Sequence, residues 1–193
     1  MSPDEQRLFG ALAVFAGGFT LAAAETICGP TAEGAPAGLE VLDGLSQLAD
    51  KSLLLVDPEG AEARYRMLET TRSYALEKLD ESAESERVRE RHRDWFLALA
   101  EQLVDRQGRR ESDHEFSKLA ADYDNVRGAL QWSVKREADA ELTLRLCIAL
   151  GAFWQLRGHW AEGRRWLDAA LDSSRHLGPV LRGRALHWAG VLA

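Results

Sequence analysis

The stretch from Ser52 to Leu79, SLLLVDPEGAEARYRMLETTRSYALEKL, constrains the fold more than any other part of this chain. Residues 53–56 are an apolar run of strand length, and the tetrapeptide DPEG at 57–60 has turn chemistry, because proline presets φ and glycine tolerates a positive φ. Residues 63–68 alternate between polar and apolar side chains, and from Glu69 the apolar spacing becomes helical. The stretch is therefore predicted to be strand, turn, strand, helix.

A lone β-hairpin is marginally stable in water, so this one must lie on helices. Apolar periodicity predicts three helices before it, at about residues 3–16, 21–28 and 39–51. Three helices followed by a hairpin is the order of a winged-helix domain. We therefore expect a mainly α chain that begins with a winged-helix domain at residues 1–82, containing one β-hairpin.

Capping residues support the starts of the first two helices. Ser2 is a good N-cap, with Pro3 at the first helical position and Glu5 three residues after the cap. Gly17-Gly18 is predicted to end the first helix, and Thr20 is predicted to cap the second.

The remainder of the chain, residues 83–193, is predicted to be helical throughout. Two helices are expected at about 84–107, with a break at Gly108, and at about 112–136. The tetratricopeptide pattern is matched by Leu150-Gly151, by Trp154 and by the glycine turn that follows. A shift of ~34 residues, the period of that repeat, brings Gly151 onto Ala185, which is also small, and Trp154 onto Trp188. Residues 83–193 are thus predicted to be tetratricopeptide-like helical repeats, with the last repeat truncated.

Net charge is unevenly distributed along the chain. Residues 1–80 carry 6 Lys and Arg against 13 Asp and Glu, whereas residues 81–193 carry 18 of each. The predicted recognition helix carries Glu40, Asp43 and Asp50 against Lys51, and the wing carries Asp57, Glu59 and Glu62 against Arg64 and Arg66. Because phosphate contacts require a basic face, we expect this winged helix to bind protein and to make no direct contact with nucleic acid.

No residue pattern indicates catalysis or metal binding. The five histidines lack HExxH or other ligand spacing, no nucleophile–base set is arguable, and Asp122 and Asp124 are expected to be surface charges, with Asp124 pairing Arg127. Cys28 and Cys147 are far apart in apolar surroundings, which indicates reduced thiols and a cytoplasmic protein. We expect no catalytic, cofactor-binding or metal-binding residues, no enzyme activity and no membrane span.

Four ordered stretches resemble one family: residues 2–19, 48–54 (LADKSLL), 65–75 (YRMLETTRSYA) and 124–132 (DNVRGALQW). Together they resemble the region just after the nucleotide-binding domain in bacterial signal-transduction ATPases of the STAND class. Those regulators often carry a LuxR-type, SARP-type or cyclase output domain. The resemblance covers nearly the whole chain and implies a winged-helix domain followed by tetratricopeptide-like helices.

The resemblance implies a non-catalytic regulatory fragment that couples inducer sensing to the state of the nucleotide-binding domain. No phosphate-cradle motif is present, so no cofactor is expected in this chain, and ATP or ADP is implied only for the missing nucleotide-binding domain. The implied partners are the protein's own or a partner's nucleotide-binding domain and a peptide, protein or small-molecule inducer. The alternative is a fragment of a winged-helix DNA-binding transcription factor.

In tetratricopeptide repeats the first helix of each pair lines a concave groove. Placing Gly151 and Trp154 at the small and large positions of that pattern predicts which side chains enter the groove: Arg145, Ile148, Ala152 and Gln155 from one repeat, and Arg182 and Leu186 from the next. Two arginines and an amide among apolar neighbours suit a peptide-like or protein partner. The groove could instead be filled by missing repeats or by the ATPase domain.

Overall fold

The computed structural model describes residues 1–29, 41–58, 62–105 and 112–193. Within these ranges the chain is mainly helical, with three short strands. The first elements are α1 (Pro3–Leu12), β1 (Phe19–Thr20), α2 (Leu21–Cys28), α3 (Val41–Asp50), β2 (Leu55–Asp57), β3 (Arg64–Arg66) and α4 (Glu69–Asp80). They are followed by α5 (Ser85–Asp105), α6 (Ser112–Ala121), α7 (Tyr123–Ser133), a short 3₁₀ turn (Glu137–Asp139), α8 (Ala140–Arg157), α9 (Trp160–Ser173) and α10 (Pro179–Val191).

The order of the first six elements confirms the predicted winged-helix domain. Strand β3 lies between β1 and β2 and pairs antiparallel with both, so that Tyr65 stands opposite Phe19 on one side and Val56 on the other. The third strand, β1, was not predicted. Thr20 does cap α2 as expected, because its hydroxyl accepts a hydrogen bond from the Ala23 amide at 3.3 Å, and it also ends β1.

The ends of α1 and α3 follow from their capping groups. At the start of α1, Ser2 and Glu5 form both hydrogen bonds of a capping box. Helix α1 ends at Leu12, earlier than predicted. The residues that follow, up to Phe15, form a tighter turn with i→i+3 hydrogen bonds. Helix α3 ends in a Schellman motif: the Leu53 amide donates to the Leu48 carbonyl at 3.0 Å and the Ser52 amide to the Ala49 carbonyl at 2.8 Å.

Two compact units make up the described chain. The first comprises residues 1–95 and 122–128, and the second comprises residues 96–121 and 129–193. The winged helix is thus joined in its unit by the first half of α5 and by a short segment around the start of α7. The predicted division of the chain after residue 82 stays a prediction.

The core of the first unit is aromatic. The Phe15 and Phe19 rings stack with centroids 4.4 Å apart, Tyr65 stacks on Phe19 at 5.9 Å, and the His92 ring meets Phe15 edge-on at 5.5 Å. Arg91 of α5 donates to the Gly29 carbonyl at 2.9 Å, just after the end of α2. Residues of α5 therefore complete the packing around the winged helix.

The second unit is built around α8, which packs against α9 and α10. A left-handed residue, Gly158 at φ 76°, ends α8 before α9 begins. Two glycines allow close helix contacts: a Cβ on Gly151 would lie 2.2 Å from the Trp188 ring, and one on Gly163 would lie 2.6 Å from the Trp154 ring. The tetratricopeptide assignment of these helices stays a prediction.

The turn predicted at 57–60 and the helix break predicted at Gly108 lie wholly or partly outside the described residues, as do Glu40 of the predicted recognition helix and Glu59 of the wing. The single helix predicted at 112–136 is two helices, α6 and α7, with a break at Asp122. No helix in the described ranges is long and apolar enough to cross a membrane.

Candidate nucleic-acid interface

Helix α3 occupies the position of the recognition helix and presents a mostly uncharged surface. Its core face is formed by Val41, Leu45 and Leu48, which are buried. On the opposite side Leu42, Asp43, Ser46 and Asp50 are exposed, with Gln47 half-buried beside them. The outer surface therefore combines two carboxylates with an amide, a hydroxyl and an apolar side chain.

Lys51, the cation directly after α3, is held by a carboxylate of α1. Its ammonium donates a close hydrogen bond to Glu5, whose side chain is buried. This hydrogen bond, followed by the one from the Ser2 amide, lowers the pKa of Glu5 below its usual value. The positive charge at the end of α3 is consequently compensated within the domain.

The wing carries two arginines on its central strand. Residues separated by two in a strand share a face, so Arg64 and Arg66 lie on the same side of β3. Arg66 is exposed opposite Leu55, whereas Arg64 is half-buried opposite Asp57. A guanidinium nitrogen of Arg64 lies 2.8 Å from the Gly18 carbonyl oxygen and 2.5 Å from a carboxylate oxygen of Asp122.

Asp122 is half-buried and paired with Arg64, whereas the sequence predicted a surface charge. It lies at the break between α6 and α7, where burial raises the pKa of its carboxyl group and the Arg64 guanidinium opposes that increase. Asp124 does pair with Arg127 at 3.3 Å, as expected from their spacing. The ion pair between Asp122 and Arg64 joins residues 58 positions apart, so no local spacing could have indicated it.

The buried side chain of Asn125 fastens the same segment to the loop between α1 and β1. Its amide oxygen accepts a hydrogen bond from the Gly17 amide at 3.1 Å, and its amide nitrogen donates to the Gly18 carbonyl at 2.9 Å. Because both groups of the side chain are used, the position of residues 122–128 on the winged helix is specified. The sequence places Asn125 in the stretch 124–132 that carries the family resemblance, but it gives no sign of the contact, since a single asparagine in a helix has no periodic signal.

The predicted groove residues of the second unit have varied surroundings. Arg145 forms a bidentate ion pair with Glu101, with both N–O distances 2.9 Å, and Arg182 donates to the Leu171 carbonyl at 2.8 Å. Ile148 is buried, and Gln155 and Leu186 are exposed. The use of these five residues as a partner groove stays a prediction.

Metal or thiol chemistry finds no support in the described ranges, where no group of His, Cys, Asp or Glu is placed to hold a metal ion. Both cysteines are free thiols, and burial raises the pKa of Cys147 and of Cys28, which keeps them protonated.

Comparison with known proteins finds a family match for the first part of the chain and relatives that are similar over most of it. Residues 1–80 match the family model of the winged helix-turn-helix domain. A provisionally named HTH-type transcriptional regulator of Mycobacterium bovis is 38% identical over 195 residues, covering 96% of this chain, and its Mycobacterium tuberculosis counterpart has the same values. An uncharacterized protein of M. tuberculosis is 41% identical over 93 residues, covering 48% of the chain and 23% of its own length.

The chain spans 21% of the length of the two regulators. No solved structure matches it significantly.

These matches correct the prediction that the chain makes no direct contact with nucleic acid. A winged helix-turn-helix domain and relatives named as transcriptional regulators both point to DNA binding. The prediction failed because it summed charge over whole elements. Base edges are also read by uncharged side chains, and one well-placed arginine can bind a phosphate on an element of negative net charge.

Proposed function

We propose that this chain is part of a bacterial transcriptional regulator whose winged helix-turn-helix domain binds DNA through α3 and the wing. The order α1-β1-α2-α3-β2-β3, with β3 central in the sheet, carries the proposal, because it makes α3 the second helix of a helix-turn-helix. The match of residues 1–80 and the similarity to named regulators support it.

In this proposal α3 reads base edges in the major groove. Gln47 can bind adenine in a bidentate manner, Ser46 can donate to or accept from several bases, and Leu42 can contact a thymine methyl group. The exposed carboxylates Asp43 and Asp50 repel phosphates and can accept only from a donor such as the cytosine amino group. We expect weak non-specific binding and a larger share of affinity from base contacts.

The wing supplies the phosphate contact. Arg66 is exposed on β3, two residues from the half-buried Arg64, and its charge can neutralise one phosphate beside the major groove. The proposed function includes no catalytic step. We also propose that the protein is located in the cytoplasm.

The test begins with selection of a binding sequence from a randomised duplex of about 20 base pairs at ~50 mM salt, followed by fluorescence anisotropy titration. Gln47→Ala should reduce discrimination between the selected and a scrambled duplex about 5- to 150-fold, in line with ~1–3 kcal/mol for a bidentate base contact. Arg66→Ala should weaken binding to both duplexes about equally.

Arg175→Ala removes an exposed arginine from the second unit and serves as the matched control for Arg66→Ala. It should leave both affinities unchanged. Failure of the folded chain to bind any selected or random duplex below about 100 μM at ~50 mM salt would contradict the proposal.

A second candidate function is the STAND-type coupling of inducer sensing to a nucleotide-binding domain. The length of the similar regulators favours this second candidate. This chain spans only 21% of them, so most of their sequence lies outside the matched region and is long enough for a nucleotide-binding domain. In this candidate residues 83–193 form the repeat array. Exposed Gln155 and Leu186 and half-buried Arg145 and Arg182 face the inducer or the ATPase domain, whereas Ile148 is buried inside the array.

The second candidate is tested on the full-length protein. Charge reversal at Arg145 and Arg182 should change its ATP turnover, whereas reversal at the exposed Arg175 should not. Equal turnover in all folded variants would count against this coupling.

A further inference from the structure

The wing arginine Arg64 already binds an anionic group in this structure. Its guanidinium lies between the Gly18 carbonyl oxygen at 2.8 Å and the Asp122 carboxylate at 2.5 Å, and the two side chains are 28% and 15% exposed. A carboxylate on a guanidinium has the same charge and hydrogen-bond geometry as a phosphate oxygen pair. Asp122 therefore occupies a place that suits a DNA phosphate.

Asp122 is brought to the wing by a segment that lies outside residues 1–80. It precedes α7, and the Asn125 side chain, one helical turn later, bonds to Gly17 and Gly18. Gly18 is also the residue whose carbonyl accepts from Arg64. One short segment thus places its carboxylate on the wing and fixes its own position on the neighbouring loop, so the contact is a built feature of the fold.

Arg64 and Arg66 differ in this respect although they share a face of β3. Arg66 is exposed, whereas Arg64 is half-buried against the segment carrying Asp122. Arg64 is also the first residue of β3, and in the proposed docking, with α3 in the major groove, this end of the strand is the one that approaches the phosphate backbone. The better-placed of the two cations is therefore the one that Asp122 neutralises.

We propose that Arg64 is a phosphate-binding residue of the wing and that Asp122 acts as an intramolecular phosphate mimic, which lowers DNA affinity until it is displaced. This inference rests on the proposed DNA binding. When DNA binds, the Arg64 guanidinium exchanges the Asp122 carboxylate for a phosphate, so the contact adds little net affinity. Release of Asp122 leaves Asp57, directly opposite in β2, as a carboxylate beside Arg64.

The variant Asp122→Asn tests the proposal, because the amide oxygen can still accept from Arg64 while the negative charge is removed. Its affinity for a random-sequence 20-base-pair duplex at ~50 mM salt should be about 5- to 10-fold higher than that of the unaltered chain. The slope of log affinity against log salt should steepen by about one, as expected for one additional phosphate contact.

Asp124→Asn is the matched control: it makes the same charge change two residues away, where Asp124 is exposed and paired with Arg127. It should change affinity less than 2-fold.

Arg64→Ala should have little effect on affinity in the unaltered chain and should abolish the gain in affinity in the Asp122→Asn background. If Asp122→Asn does not fold by circular dichroism, Asp122→Ser replaces it in the same comparison.

The outcomes separate this inference from the proposed function. If the unaltered chain binds duplex DNA and Asp122→Asn binds no more tightly than Asp124→Asn, the phosphate-mimic role is wrong and DNA binding stands. If neither the unaltered chain nor folded Asp122→Asn binds any duplex, the proposed function is wrong and the inference fails with it.

Discussion

At the scale of single residues, Ser52 connects α3 to the wing in a conformation that few side chains adopt. Its φ of 57° lies in the left-handed region, at the position of the Schellman motif that is usually glycine. The two hydrogen bonds of the motif hold it there. The chain can then enter β2 with Leu54 buried.

We expect Ser52→Gly to raise the free energy of unfolding by about 0.5–1 kcal/mol, because relief of the left-handed strain exceeds the added entropy of the unfolded chain. Urea denaturation measures the change. Ser46→Gly, on the exposed side of α3, should have the opposite sign and lower stability by about 0.5–1 kcal/mol. Equal loss in both variants would show that the Ser52 side chain contributes more than its backbone costs.

His92 makes the stability of the first unit depend on pH. Burial, with a smaller contribution from Arg89, lowers its pKa from 6.5 to about 3. The folded chain therefore keeps His92 neutral while the unfolded chain binds a proton below pH 6.5. The contribution to stability is present above that pH and is lost progressively as the pH falls towards 3.

Between pH 7 and pH 5 we expect the unaltered chain to lose about 2 kcal/mol more stability than His92→Gln, by linkage with these two pKa values. Urea denaturation at both pH values gives the difference. His176→Gln, which alters an exposed histidine of the second unit, should leave the pH dependence unchanged. A parallel loss in all three proteins would place the acid sensitivity elsewhere.

At the scale of elements, α10 approaches α8 closely because Gly151 has no side chain. A Cβ there would lie 2.2 Å from the Trp188 ring, whereas one on Gly183 of α10 would meet nothing within 4 Å. Gly151→Ala should therefore destabilise the chain by about 1–3 kcal/mol through overpacking. Gly183→Ala should stabilise it by about 0.5–1 kcal/mol through helix propensity. Thermal unfolding of both variants decides whether α10 packs on α8 as described.

Elements with a local signal could be predicted from the sequence, and those that depend on distant contacts could not. The bounds of α2 agree with the prediction because Thr20 caps it. The break at Asp122 was missed, since the apolar period continues through Leu119, Tyr123 and Val126, which are all buried. The pairing of Asp122 with Arg64 and the hydrogen bonds of Asn125 leave no local pattern, so this part of the site required the structure.

At the scale of the whole molecule, the negative charge of residues 1–80 acts on any approaching duplex. We expect the double variant Asp43→Asn and Asp50→Asn to bind a random duplex about 3- to 10-fold more tightly at ~50 mM salt, with the gain reduced at 200 mM by screening. Glu137→Gln with Glu141→Gln removes the same charge from exposed sites in the second unit and is the control. Equal gains in both double variants would show that only total charge matters.

The hydrogen bonds of Asn125 also affect the order in which the first unit can fold during synthesis. The side chain meets Gly17 across 108 residues, so the winged helix lacks this contact when its first 80 residues have left the ribosome. At roughly 5–20 residues per second, translation needs several more seconds to deliver Asn125. The segment that delivers it also carries Asp122. The nascent domain therefore acquires the Asn125 hydrogen bonds and the carboxylate that pairs with Arg64 at almost the same time.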